Sequence, residues 1–165
     1  MELALSEGNV LLSKNKSDEP QDAINNCHNC AINLTKDGRV DSKPLTKLYT
    51  DNSFVTYPHN FDNALLASYK NVGTPNMGDV IRYSNDGKKT SHGSVLLLQN
   101  DNGVQMFTKN GYQNSQLYQI MMQTNIIIEV YGNPTGIQGR EVPSKNARGE
   151  DIMIKINHKS PYYRY

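Results

Sequence analysis

The segment Asn100-Asp101-Asn102-Gly103 constrains this chain most, because it ends in the Asn-Gly of a tight hairpin and stands between two apolar runs. Before it, Ser91-His92-Gly93-Ser94-Val95-Leu96-Leu97-Leu98-Gln99 reads as a largely buried strand, and after it Val104-Gln105-Met106-Phe107-Thr108-Lys109 reads as another. An earlier strand, Asp79-Val80-Ile81-Arg82-Tyr83, joins them through the turn 84–89, and Asn110-Gly111 supplies the next turn. Residues 116–122 read as a short helix or loop, and Asn125 to Tyr131, rich in β-branched residues, as a fourth strand. The chain before Gly78 has a different pattern. Asn25 or Asn26 is a plausible N-cap for a short helix over Cys27–Leu34, and Phe61–Tyr69 carries apolar residues at helical spacing. Residues 40–76 are otherwise irregular, with Pro44, Pro58 and Pro75. Helices first and an antiparallel meander after them predict an α+β fold. Residues 1–20 read as a polar N-terminal extension, 21–132 as the core, and 133–165 as a C-terminal extension of the same domain. That last stretch holds Pro134, Gly136, Gly139, Pro143, Gly149 and the apolar patch Ile152–Ile156, and is expected to be mobile or to add one edge strand. Its end, Tyr162-Tyr163-Arg164-Tyr165, reads as a packing or partner segment.

At 165 residues the chain is sized for one globular domain. Its mean hydropathy of −0.66 describes a polar surface, although the apolar runs still supply a core. A formal net charge of +1 is too small for a surface that lives by neutralising phosphates, so nucleic acid is not expected as a partner. No run approaches the length of a membrane span, and the first residues lack the basic and apolar regions of a secretory signal. The expectation is a cytoplasmic protein, a cargo exported without a cleaved signal, or a domain of something larger.

Cys27 and Cys30 form a Cys-x-x-Cys, which admits three chemistries. A zinc site needs two more ligands, and no second such pair or paired-His motif follows. A redox pair of the thioredoxin kind should follow a strand, whereas 18–26 reads as a loop. The third chemistry is a single nucleophile at a helix start, Cys27, with Cys30 as a buried bystander. No cofactor and no metal are expected. A helix N-terminus and a nearby imidazole both lower a thiol pKa, and the free N–H groups there offer an oxyanion hole. His92, at a strand start between Ser91 and Gly93, is the candidate base, and a residue near the end of the next strand can orient its ring. His28 is expected to face solvent, His59 and His158 to be background, and Lys109 to be an exposed strand-end residue.

Asn26-Cys27 at a helix start, then Gly78-Asp79-Val80-Ile81-Arg82-Tyr83, then Ser91-His92-Gly93-Ser94-Val95-Leu96-Leu97, then a strand closing in Thr108-Lys109-Asn110-Gly111, resembles the papain-like cysteine hydrolases of the NlpC/P60 and CHAP kind. The resemblance runs over residues 24–131 and rests on the order of short motifs. It implies a papain-like fold, N-terminal helices on an antiparallel β-meander, with Cys27 as nucleophile, His92 as base and Asn110 as the third residue, Thr108 being the alternative. The family pattern has Asp before the Cys and Ser-Gly after it, where this chain has Asn26 and His28-Asn29. In that respect it is similar to divergent amidase effector and toxin domains. They imply a peptidoglycan peptide or a protein as substrate, delivery into the periplasm of a rival bacterium, and a cognate immunity protein as partner.

Overall fold

The computed structural model describes residues 27–35, 58–109 and 118–165. Two helices, α1 (Cys27–Thr35) and α2 (Pro58–Ser68), precede β1 (Lys70–Val72), β2 (Val80–Ser84), β3 (His92–Asn100), β4 (Gly103–Lys109) and β5 (Tyr118–Met122). There follow α3 (Asn125–Tyr131), β6 (Asn133–Pro134), β7 (Gln138–Lys145), β8 (Asp151–Asn157) and β9 (Tyr162–Arg164). The main sheet is antiparallel in the order β1-β9-β2-β3-β4-β5, with β6 paired to β2, while β7 and β8 form a separate hairpin. The fold is therefore mixed, a few helices on a mostly stranded body.

The expected meander is present. β3 and β4 turn through Asp101 and Asn102, with Gly103 at φ +122° and the Asn100 side chain accepting from the Asn102 N–H at 2.9 Å. Alternation then sorts the side chains. Val80, Val95, Leu97, Phe107 and Tyr163 face one way and form a core with Cys30, Ala31, Ile32, Phe61 and Leu65 from α1 and α2. Ile81, Tyr83, Leu96 and Met106 face the other way, against Ile127 of α3.

Three expectations need correction. The span 125–131 is a helix and not a fourth strand. Thr124 holds the extended conformation of an N-cap, Gly132 closes the helix at φ +84°, and Ile126 and Val130, one turn apart, are left exposed. A strand would have buried every second residue, whereas the helix buries Ile127 and turns Ile128 and Tyr131 partly inward. Residues 118–122 are a strand, opposing Met121 to Met106 and Ile120 to Phe107. The C-terminal stretch contributes more than one edge strand, because β9 lies between β1 and β2. Arg164 grips the Asp79 carboxylate with two donors at 2.8 Å, and Tyr163 is fully buried.

A buried ion pair ties the layers together. Arg82 donates to Asp62 of α2 from Nε at 2.8 Å and Nη2 at 3.3 Å, to the carbonyls of Thr135 and Gly136 from Nη1, and to those of Gly87 and Lys88 from Nη2. Asp62 also accepts from the Thr90 hydroxyl. A buried guanidinium is tolerable only with its donors occupied in this way. Among the described residues no helix is long and apolar enough to cross a membrane.

Candidate functional site

His92 opens β3 and is fully enclosed. Its Nε2 lies 2.7 Å from the Thr108 hydroxyl on the neighbouring strand, and its ring stacks on Tyr131 with centroids 4.0 Å apart and planes 13° from parallel. Tyr83, its cross-strand partner, closes a further side at 5.5 Å. Nδ1 is buried and makes no hydrogen bond. Desolvation pushes the imidazole pKa down to about 3, helped by the charge of His28 nearby, so the ring is neutral at physiological pH. A neutral imidazole has one N–H and one lone pair. If Nε2 donates to Thr108, the lone pair is on Nδ1.

Cys27 is the first residue of α1 and is 6% exposed, and Cys30, one turn on, is 5% exposed within the apolar core. Neither forms a disulfide. α1 packs across β3 and β4. Its second residue, His28, is buried with its ring 4.8 Å from Phe61, which corrects the expectation that it faces solvent. Phe61 in turn covers Gly93, where a Cβ would come within 2.7 Å of the ring. The small residue after His92 thus has a steric cause: α2 lies directly on β3 there.

Strand alternation has a consequence for the candidate pair. His92, Ser94 and Thr108 project toward the α3 side, and Gly93 and Val95 toward α1 and α2. His92 and Thr108 are brought together; Cys27 belongs to the helix covering the opposite face. The Phe61 ring nevertheless lies against both His28 of α1 and the Gly93 backbone, which brings the first turn of α1 near the end of β3 where His92 stands. Asn110 lies outside the described residues, as do Asn25 and Asn26.

Sequence reasoning missed Tyr131 as the wall behind His92, because a strand over 125–131 would not have turned it onto the ring. The caps Thr124 and Gly132 were the available signal. It also missed that Asp79 and Arg82, within the Gly-Asp-x-x-Arg-Tyr strand, are structural ion-pair residues. No three His, Cys, Asp or Glu side chains among the described residues gather as metal ligands would. Comparison of the chain with family models, curated proteins and solved structures finds no match.

Proposed function

We propose that this chain is a papain-like cysteine hydrolase that cleaves amide bonds, with Cys27 as nucleophile, His92 as general base and Thr108 or Asn110 orienting the ring. The observation that carries this reading is the hold on His92: with Nε2 donating to the Thr108 hydroxyl, an unpartnered lone pair is left on Nδ1. A general base needs such a lone pair, although burial that pushes the pKa down to about 3 makes this ring a weak one at neutral pH. The proton would leave Cys27 Sγ for Nδ1 as sulfur attacks the amide carbonyl, forming the C–S bond. Backbone N–H groups at the start of α1 would receive the oxyanion. Collapse would break the C–N bond, the imidazolium would protonate the departing amine, and water would cleave the thioester. With an imidazole this reluctant to ionise, the resting pair is thiol and neutral ring, so proton transfer accompanies attack. The reading requires Sγ to reach Nδ1 around the end of β3.

The substrate class that goes with this reading is the peptide of peptidoglycan, cut in the periplasm of a target cell by a delivered effector that a cognate immunity protein would block. A deamidase or acyl-transfer toxin would use the same pair on a protein side chain. A non-enzymatic binding module is the contrasting reading, and complete burial of His92 on the α3 face favours it. Incubation with purified peptidoglycan separates the three. New free amines that vanish in Cys27→Ala and His92→Ala but persist in Cys30→Ala are the expected result. Ammonia released from protein side chains would indicate the deamidase, and no product from either substrate the binding module.

A further inference from the structure

We infer that the outer edge of β8 is a self-association surface, pairing antiparallel with β8 of a second copy of this chain. The β7–β8 hairpin stands off the main sheet, its base held by Gln138 N–H to the Gly87 carbonyl at 3.0 Å and by Arg140 on Asn63. Its two edges differ. Asn146 N–H donates to the Glu150 carbonyl at 3.0 Å, so Ser144–Ile152 and Val142–Ile154, two and four residues further along the ladder, are also hydrogen-bonded pairs. Pro143, opposite Met153, then falls in a non-hydrogen-bonded pair, where its missing N–H costs nothing to the hairpin and blunts the β7 edge. By the same alternation Asp151, Met153 and Lys155 turn their N–H and C=O groups away from β7, along an edge with neither Pro nor Gly. Among the described residues that edge has no strand beside it, and Met153 is 59% exposed with Ile152 and Ile154 flanking it at 37% and 39%.

The sequence of β8 selects the occupant. Paired with itself about a two-fold axis through Met153, Asp151 meets Lys155 of the second copy, and Lys155 meets its Asp151. Across the four strands the charges then alternate: Lys145, Asp151, Lys155 of the second copy, and its Glu141. Lys145 and Asp151 already form an ion pair at 2.5 Å, and Lys155 stands opposite Glu141 within the hairpin. On the other face Ile152 meets Ile154 of the second copy, doubling an apolar strip that includes Val142. A strand with a like charge at both ends would repel its own copy in this register. This one attracts it.

One strand edge is smaller than a standard interface, so the association should be weak, with a dissociation constant in the micromolar range or above. Sedimentation of the full chain over a rising concentration series should show a dimer. Asp151→Lys alone and Lys155→Asp alone should each shift the dimer constant at least tenfold toward monomer, because each sets like charges opposite one another. An equimolar mixture of the two variants should recover it, since each copy then offers the charge the other lacks. In Met153→Cys an oxidised disulfide dimer should form, and in Ile152→Cys it should not. A chain that stays monomeric, a dimer indifferent to both charge changes, or a mixture that fails to recover would overturn the inference, the first also being the result if this edge serves an unrelated protein.

Discussion

At the scale of single residues, the contact that decides most is the 2.7 Å approach of Thr108 to His92 Nε2. Thr108→Val keeps the shape and removes the hydroxyl, leaving a second buried ring nitrogen without a partner, which should cost about 1–3 kcal/mol of stability. If the ring is a catalytic base, turnover should also fall, by less than in His92→Ala, since an orienting group carries no proton. Thr108→Ser should restore both. Urea unfolding and amine release from peptidoglycan, measured on the same preparations, separate the structural effect from the catalytic one. Thr108 was legible as the alternative third residue, because the long Asn100–Gly103 turn leaves the motif's register along the next strand loose. What the sequence did not reveal is the burial of His28. A polar residue beside a helix-start Cys looks solvent-facing until Phe61 is known to lie next to it.

At the scale of elements, the meander was legible and the pieces around it were not, for a physical reason. β2, β3 and β4 are marked by turn chemistry at both ends and by apolar runs that only a two-sided core requires. The stretch 125–131 sends opposite signals, a β-branched composition and helix caps, and packing of Ile127 against the sheet decides for the helix. β9 draws its structure from β1 and β2, partners distant in sequence, which local periodicity cannot encode. The α2–β3 packing makes its own prediction. Gly93→Ala introduces a methyl 2.7 Å from the Phe61 ring and should destabilise the fold by about 1–3 kcal/mol, as overpacking does. Phe61→Leu leaves a void and is destabilising alone, yet the double variant should be more stable than the sum of the two implies. Denaturant midpoints for the four proteins check the coupling.

At the scale of the whole molecule, the C-terminal strand inside the sheet and the Arg82–Asp62 pair make the ends of the described chain one cooperative body. Its stability should depend on acidity through His92. Burial depresses the folded pKa to about 3 from an unfolded value near 6.5, so between these limits the unfolded chain binds the extra proton. Stability is fully present above about pH 6.5 and is lost as the pH falls toward 3. His158, also depressed by burial and by Arg82, adds in the same direction. Thermal melts from pH 8 to pH 4 should show the midpoint falling below about pH 6.5, and His92→Gln should flatten that slope.

The central claim is that Cys27 and His92 work as a pair, and competitive alkylation tests it without knowledge of the substrate. Cys27 and Cys30 are 6% and 5% exposed, so access to the two thiols is nearly equal and a difference in rate reports how readily each gives up its proton. The native chain is treated with iodoacetamide at pH 7 and the modified peptides are counted by mass spectrometry. The expected result is alkylation of Cys27 at least tenfold faster than Cys30, with the advantage lost in His92→Gln. Equal labelling of the two cysteines, or a Cys27 rate indifferent to His92, would contradict the pair and leave His92 as a residue of the core.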